Sequence, residues 1–330
     1  HIGAPCACQD SAARIQQRYA AQDGHAHQSL GHAFLQCRVR RLTAAGHRVH
    51  LVARRPVPVQ LGGRAILHTS PLDNAKLLHT LLPECRTVFY LASDSTPGTS
   101  ASEPMWESEL NLGPALRFLD VLQKYDHVHL FFVSSGGTVY GNPRTLPVDE
   151  DHPLSPLSYH GAGKIAMEAF LQAYCRQFGR GVTVLRPSNF YGPGQPYRKG
   201  FGIVRGMLEH LRRDRPVEIW GDGENIRDFI YLEDFVDACV CLVEKGQAAK
   251  TIDVFNVGYG SGVSINRLCD LVESVTGGRI RKEYRAGRSI DVRSVVLDYS
   301  KLNRHAGWKP ATDLETGLAR TWEWLKKQPL

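Results

Sequence analysis

The chain lacks any apolar run long enough to cross a membrane, and it does not start with a basic segment followed by an apolar one. We therefore expect neither a membrane span nor a secretory signal. No internal repeat or low-complexity segment interrupts the sequence. Its 42% hydrophobic and 22% charged residues are ordinary for a soluble globular enzyme, and 330 residues suggest two domains or one large domain with an added lobe.

Cysteine also lacks the spacing of a disulfide scaffold or a metal site. The eight cysteines are scattered along the chain, at positions 6, 8, 37, 85, 175, 239, 241 and 269. Neither Cys6-x-Cys8 nor Cys239-x-Cys241 has a companion pair, so no zinc or other metal site is expected. Scattered cysteines suit a reducing compartment, and we expect a cytoplasmic protein.

The net charge of +7 comes without the aromatic-interleaved basic patch of a nucleic-acid-binding protein, so no nucleic-acid partner is expected. Part of this charge is concentrated near the N-terminus, in Arg38, Arg40, Arg41, Arg48, Arg54 and Arg55. These arginines form either a solvated helix face and strand end or a surface that attracts an anionic small molecule.

Strand-like and helix-like segments alternate from about residue 39 onward. Strands are predicted at 49–52, 65–67, 87–92, 127–135, 182–186, 229–231 and 254–257. Helices are predicted at 109–124, 161–178, 265–276 and 316–327, and a helix closes at Gly46. This alternation is typical of an α/β fold with a Rossmann-type, doubly wound parallel sheet. The segment after Pro187 is rich in glycine and proline and reads as irregular.

An ordered set of motifs covers most of the chain. The motifs lie at 134–141 (SSGGTVYG), 161–164 (GAGK), 185–195 (LRPSNFYGPGQ), 221–223 (GDG), 227–231 (RDFIY), 255–258 (FNVG), 287–288 (GR) and 291–292 (DV). Each motif alone is weak, but the set in this order resembles the extended short-chain dehydrogenases/reductases, in particular the nucleotide-sugar epimerase/dehydratase group that includes UDP-glucose 4-epimerase.

The resemblance implies a domain organisation. Residues 39–186 correspond to a dinucleotide-binding domain, to which 225–258 return. Residues 187–224 and 259–330 correspond to a smaller α+β substrate-binding lobe. Residues 1–38 stand where the family has its glycine-rich βα unit, whose glycines let the backbone approach a pyrophosphate. Of those glycines only Gly31 remains. We hypothesise that residues 1–38 derive from a shifted reading frame or a misplaced gene start, and the alternative is a genuinely divergent N-terminus.

The family uses a tyrosine four residues before a lysine as its proton carrier. Lys164 matches the lysine, which also holds the nicotinamide ribose, but the residue four positions earlier is His160, and Tyr159 lies one place further back. His160 can serve as the base because cations beside it keep the imidazole neutral. Tyr159 can serve only if the start of the helix is distorted. The third possibility is that no strong base remains.

The family's serine or threonine, whose hydroxyl orients the sugar, corresponds to Gly136 in this sequence. Ser135 and Thr138 are the neighbouring hydroxyls that can replace it. The resemblance also implies a set of cofactor-binding residues, namely Gly31, Arg54, Ala92, Asn111, Ser134, Lys164 and Pro187. The acid that accepts from the ribose of NAD is replaced by Ala53, followed by Arg54 and Arg55, so both NAD and NADP remain possible cofactors.

The resemblance implies that Asn189, Arg227 and Arg288 contact a diphosphate, and that Asp291 contacts the ribose of a nucleotide sugar. We expect a nucleotide-sugar epimerase of surface-polysaccharide synthesis that transfers a hydride transiently to NAD or NADP. The alternatives are a dehydratase or reductase of the same family, and a catalytically impaired binding protein with a relict site. A homodimer formed through helices 109–124 and 161–178 is expected.

Overall fold

The computed structural model describes residues 39, 41–56, 64–197, 201–246 and 250–329. Residues 1–38, including Gly31, lie outside the described residues, so the predictions about the N-terminal segment stay predictions. Within the described ranges, no helix combines the length and the apolar composition that crossing a membrane requires.

The strands and helices alternate along the first half of the described chain. The strands are β1 (Val49–Ala53), β2 (Ala65–Thr69), β3 (Thr87–Tyr90), β4 (His129–Val133), β5 (Val182–Pro187), β6 (Asn189–Tyr191), β7 (Val217–Trp220), β8 (Ile226–Tyr231), β9 (Ile252–Val257), β10 (Gly262–Ser264), β11 (Lys282–Arg285) and β12 (Ser294–Val295). The helices are α1 (Ala75–Leu81), α2 (Pro104–Glu107), α3 (Gly113–Leu122), α4 (Gly136–Val139), α5 (Tyr159–Phe178), α6 (Ile203–Arg212), α7 (Leu232–Lys245), α8 (Ile265–Thr276), α9 (Ser300–Ala306) and α10 (Leu314–Lys326).

A parallel sheet with the strand order β3-β4-β5-β9 forms the centre of the molecule, and β1 and β2 form a second parallel pair. Helices cover both faces of this sheet. On one face Phe118 of α3 and Leu171 of α5 pack against Phe132. On the other face Phe235 of α7 packs with Phe131, because neighbouring residues of a strand point to opposite faces. These layers confirm the predicted α/β fold with a doubly wound parallel sheet.

A separate hydrophobic cluster lies around strand β8, which pairs with β6, β10 and β12. Helices α6, α8 and α10 contribute Leu208, Leu268 and Leu318 to this cluster, and each of these side chains is fully buried. The proposed boundary between a dinucleotide-binding domain and a substrate-binding lobe is not tested by these contacts and stays a prediction.

The structure differs from the sequence expectation at the helix predicted over 109–124. The helical segment starts earlier, at Pro104, and a π-helical turn (Ser108–Leu112) separates α2 from α3. Pro114 lies in the first turn of α3 and has no N–H to donate to the carbonyl of Leu110, so regular α-helical bonding is interrupted there. A second difference is α6, which lies in the segment that the sequence indicated as irregular.

A buried ion pair joins helix α5 to strand β5. Arg186 donates from Nη2 to Oε2 of Glu168 over 2.6 Å and from Nε to Oε1 over 3.2 Å. The same guanidinium donates to the hydroxyl of Tyr140 over 2.9 Å, and that hydroxyl donates to Oδ1 of Asn256 over 2.7 Å. Because the carboxylate and the guanidinium are both satisfied, the pair can remain charged in the interior.

We expect the substitution Arg186→Met to reduce the free energy of unfolding by about 3–5 kcal/mol, because it leaves the Glu168 carboxylate buried without its cation. Urea unfolding followed by circular dichroism measures this loss. Arg176→Met on the exposed side of α5 is the matched control. If both variants unfold at the same urea concentration, the ion pair contributes nothing to stability.

Candidate active site

The carboxyl ends of the central parallel strands bring several of the predicted site residues to one edge of the sheet, which is where α/β folds bind ligands. Ala92 follows β3, Ser134 and Ser135 follow β4, and Pro187 is the last residue of β5. Helix α5 passes the same edge and contributes Lys164. The structure therefore places these five residues close to one another.

Lys164 is buried and donates from Nζ to the carbonyl of Val133, the last residue of β4, over 2.9 Å. Its ammonium also lies 5.1 Å from the ring centre of Phe132. Burial lowers the pKa of Lys164 to about 8, against the opposing charges of Glu107 and Glu168. An ammonium with three donors, tethered by one hydrogen bond among the described residues, can still donate to a ligand.

Helix α5 begins regularly, without the distortion that would bring Tyr159 into the site. Ser158 is the N-cap, and its hydroxyl accepts from the backbone N–H of Gly161 over 3.2 Å. Tyr159 is the first helical residue and is 44% exposed, whereas His160 is 8% exposed. His160 and Lys164 are four residues apart and share one face of the helix, so the imidazole rather than the phenol lies beside the lysine.

The imidazole of His160 contacts two polar residues that the sequence did not indicate. Its Nδ1 lies 2.9 Å from Oγ of Ser95, in the loop after β3, and 4.0 Å from Oε2 of Glu107, the last residue of α2. Burial and, to a smaller extent, the charge of Lys164 lower the pKa of His160 to about 3. The expected neutral imidazole is thus present, with burial as the larger cause.

Glu107 is 5% exposed, and the hydroxyl of Ser95 donates to its Oε2. Burial raises the pKa of Glu107 above its usual range, although the hydrogen bond from Ser95 and the charge of Lys164 act in the opposite direction. No feature of the sequence distinguishes Glu107 from Glu109, which is exposed two residues later.

Asn111 braces the loop that carries Ser95. Its Oδ1 accepts from the backbone N–H of Asp94 over 2.7 Å, and its Nδ2 donates to Oγ of Ser95 over 2.8 Å. Asp94 also accepts a hydrogen bond from Arg54, which follows β1. Two of the predicted cofactor-binding residues, Asn111 and Arg54, therefore meet the same loop.

The remaining predicted residues near β4 have their polar groups turned in different directions. The hydroxyl of Ser134 donates to Glu168 inside the molecule. Ser135 caps α4 through its backbone carbonyl and is half-buried. The hydroxyl of Thr138 lies 3.4 Å from that carbonyl. Among the described residues no contact selects between Ser135 and Thr138, so the hydroxyl that would orient a substrate stays a prediction.

Gly136 has no room for the missing hydroxyl. A Cβ atom built on this glycine would lie 2.6 Å from Cδ1 of Leu297 and 2.8 Å from the carbonyl oxygen of Arg186. Real Cβ atoms do not approach other heavy atoms this closely. The packing around Gly136 therefore leaves no room for a serine or threonine side chain.

Two of the predicted diphosphate-binding residues and the predicted ribose-binding acid lie together. Arg288 donates from Nε and Nη2 to the two oxygens of Asp291, over 2.9 and 2.8 Å, and its guanidinium lies 4.8 Å from the ring centre of Trp220. Burial lowers the pKa of Arg227, the charge of Arg288 lowers it further, and Asp291 opposes both. Strand β12, which follows the segment of Arg288, pairs with β8 at Arg227, so both arginines belong to the same side of this cluster of strands. Two arginines in one region favour the binding of a polyanion.

Asn189 lies between strand β8, which carries Arg227, and helix α4. Its Nδ2 donates to the carbonyl of Asp228 over 3.1 Å. A Cβ atom on Gly137 would lie 3.9 Å from its amide. Asn189 therefore borders the start of α4, where Ser135 and Thr138 lie.

The loop after β3 lies against both His160 and Arg288. Ser95 contacts His160, and a Cβ atom on Gly98 would lie 3.5 Å from Nη1 of Arg288. Three residues of chain span at most about 11 Å. The candidate proton carrier and the arginine cluster are therefore joined by a short stretch of backbone.

We expect Gly136→Ser to destabilise the protein by about 1–3 kcal/mol, because the added atoms overlap Leu297 and a backbone carbonyl. Thermal unfolding, with activity measured in parallel, tests this expectation. Gly137→Ala is the matched control, since a Cβ atom there meets only the amide of Asn189 at ordinary contact distance. A Gly136→Ser variant as stable as this control would contradict the steric argument.

Two known proteins that are similar to this chain carry the name UDP-glucose 4-epimerase. A protein of Methanocaldococcus jannaschii, provisionally named UDP-glucose 4-epimerase, is 32% identical over 243 residues, which cover 74% of this chain and 78% of that protein. The UDP-glucose 4-epimerase of Mycolicibacterium smegmatis is 31% identical over 256 residues, covering 78% of this chain and 80% of that enzyme.

Among solved structures, the UDP-glucose 4-epimerase of Thermotoga maritima with UDP-glucose superposes with a TM-score of 0.82 at 32% identity, over 89% of this chain and 96% of that one. The profile of the NAD dependent epimerase/dehydratase family matches residues 37–258. The chain belongs to the NAD dependent epimerase/dehydratase family.

Proposed function

We propose that this chain is a UDP-hexose 4-epimerase that uses NAD. The observation that carries the proposal is the loop that places Ser95 against His160 and Gly98 beside Arg288. It connects a proton-transfer site to a cluster of arginines across a distance suited to a sugar diphosphate. The names and bound substrates of the similar proteins support the same substrate class.

The arginine cluster suits a diphosphate. The charge of Arg288 contributes to the lowered pKa of Arg227, and an anion that binds both guanidinium groups would offset this repulsion. Asp291 holds the guanidinium of Arg288 in place by two hydrogen bonds, and the ring centre of Trp220 lies 4.8 Å from it. The free protein thus already holds one of these arginines in a fixed orientation.

The residues at the sheet edge fit a nicotinamide dinucleotide. The buried ammonium of Lys164 has donors available for ribose hydroxyls, and Ala92, Ser134 and Pro187 lie at the strand ends where a dinucleotide is bound in this fold. When bound, the cofactor supplies a hydride acceptor and donor. The chain itself must move the proton of the sugar hydroxyl.

We propose that His160 is the proton carrier for the sugar hydroxyl. It is held beside Lys164, and its lowered pKa keeps the imidazole neutral, so one ring nitrogen has a lone pair for the proton of the hydroxyl. The regular start of α5 and the exposure of Tyr159 weigh against the phenol in this role. Ser135 or Thr138 supplies the orienting hydroxyl.

We propose NAD rather than NADP as the cofactor. Arg54 would favour a 2′-phosphate if its charge were free, but it forms an ion pair with Asp94. The carboxylate of Asp94 reduces the local positive charge and is itself an acceptor for ribose hydroxyls.

We further propose that the enzyme is a cytoplasmic homodimer that supplies nucleotide sugars for surface polysaccharide. Phe170 and Phe178 are 46% and 37% exposed on α5, one of the two helices expected at the interface, and burying them against a second copy would be favourable. The five cysteines among the described residues are all free, which suits a reducing compartment.

We expect Arg288→Gln to weaken the binding of UDP by about 10- to 100-fold, because a charge-assisted contact with the diphosphate is lost. Isothermal titration calorimetry with UDP measures the change, with uridine as the ligand that lacks the diphosphate. Arg293→Gln is the control, since Arg293 is exposed and pairs with Asp222. Equal UDP affinity in the two variants would show that Arg288 does not bind the diphosphate.

We expect the purified protein with NAD to convert UDP-glucose to UDP-galactose, and His160→Asn to lower kcat by about 10²–10⁴-fold, while Tyr159→Phe leaves kcat unchanged. Chromatography of the sugar nucleotides measures turnover, and mass spectrometry reveals any loss of water.

Three other outcomes separate the alternatives. A loss of activity in Tyr159→Phe alone would assign the base to Tyr159. Loss of water from the sugar would indicate a dehydratase. UDP binding without turnover would favour the impaired binding protein, which the histidine at position 160 and the missing hydroxyl at position 136 already suggest as the second candidate.

A further inference from the structure

Three polar side chains, those of Ser95, Glu107 and Asn111, form a hydrogen-bonded group on the Nδ1 side of the His160 imidazole. Ser95 is central, because its Oγ contacts Nδ1 of His160 at 2.9 Å, Nδ2 of Asn111 at 2.8 Å and Oε2 of Glu107. Glu107 can approach this closely because Gly163 has no side chain, and a Cβ atom there would meet the Glu107 carboxylate. The group is enclosed between the loop after β3, α2, the π-helical turn and α5.

The direction of each hydrogen bond in this group follows from one backbone donor. The N–H of Asp94 can only donate, so the amide oxygen of Asn111 faces it, and the NH₂ group of Asn111 donates to Ser95. One lone pair of the Ser95 oxygen is therefore always occupied by Asn111.

Two arrangements of protons satisfy the rest of the group. With Glu107 ionised, the Ser95 hydroxyl donates to the carboxylate, and its second lone pair accepts from Nδ1–H of His160. With Glu107 protonated, the carboxylic acid donates to Ser95, and the Ser95 hydroxyl turns to Nδ1. His160 then carries its proton on Nε2. The tautomer of His160 is thus coupled to the protonation of Glu107.

An isolated His160 would be a poor base in this position. Accepting a proton would create an imidazolium in a buried site beside the ammonium of Lys164, and burial already holds the pKa of His160 near 3. The imidazole can accept a proton at Nε2 at low cost only if it gives up the proton on Nδ1 at the same time.

We propose that Glu107 holds the substrate's proton while the sugar is oxidised, and that Ser95 and the imidazole of His160 carry the proton to it and back. The inference rests on the proposed epimerase function. The sugar O–H bond breaks as an N–H bond forms at Nε2. The Nδ1 proton then passes to Oγ of Ser95, and the Ser95 proton passes to Oε2 of Glu107.

The carbon that bears this hydroxyl would give its hydride to the oxidised nicotinamide dinucleotide of the proposed function. Reduction of the keto sugar returns the proton along the same path in reverse. His160 is neutral at the beginning and at the end of each transfer, and it changes only its tautomer. Among the described residues, the charged or titratable groups that face Glu107 are Lys164 and His160, both from α5.

The first test is kinetic. With NAD and UDP-glucose as the probe, Glu107→Gln should lower kcat by about 100-fold or more and leave KM unchanged, because Glu107 moves a proton without touching the substrate. Glu109→Gln is the matched control, with the same change on an exposed carboxylate two residues later. Equal kcat in the two variants would overturn the proposed proton relay from His160 through Ser95 to Glu107.

The second test needs neither cofactor nor substrate. Nitrogen-15 NMR of labelled histidine distinguishes the two tautomers of His160, whose signal is assigned by its loss in His160→Asn. Above the raised pKa of Glu107, His160 should carry its proton on Nδ1, and below that pKa on Nε2, without becoming charged. Ser95→Ala should abolish the switch.

The outcomes separate the relay from the function on which it rests. A tautomer that does not change with pH, or an imidazolium that forms over the same pH range, overturns the relay. If the wild type shows the switch but does not convert UDP-glucose, the epimerase function fails while the coupling of Glu107 to His160 stands. A purely structural role for Glu107 predicts no tautomer switch.

Discussion

The ion pair between Glu168 and Arg186 sets the rotation of helix α5 against the central sheet. Lys164 lies one turn before Glu168 and His160 lies two turns before it, so all three residues share one face of the helix. Because Arg186 is held by strand β5 and by Tyr140, the carboxylate has one favourable position. The directions in which the lysine and the histidine enter the site follow from that position.

The central strands and helix α5 could be predicted because their apolar residues recur in long, uninterrupted patterns. Strand β5 is buried along its whole length, and its run of valines and leucine is visible in the sequence. Helix α6 was missed because the glycines and prolines before it conceal an amphipathic pattern of only ten residues. The π-helical turn was missed because it results from one absent N–H, that of Pro114.

The candidate site could be predicted only where a motif carries it. Lys164, Arg227 and Arg288 stand in recognisable motifs, and the pairing of β12 with β8 connects the chain segments that carry the two arginines. Ser95 and Glu107 belong to no motif, and Glu107 resembles any surface glutamate until α2 is packed against Gly163. Gly136 was recognised as a missing hydroxyl, but only the three-dimensional packing explains why no side chain is present there.

The loop from Ser95 to Gly98 acts as a fixed-length spacer. Surface loops usually tolerate insertions and deletions between homologues, because nothing depends on their length. This loop contacts His160 at one end and Arg288 at the other. Adding or removing one residue would shift one contact by about the length of a residue, roughly 3.5 Å, and break it. Natural variation in this segment should therefore take the form of substitutions at constant length.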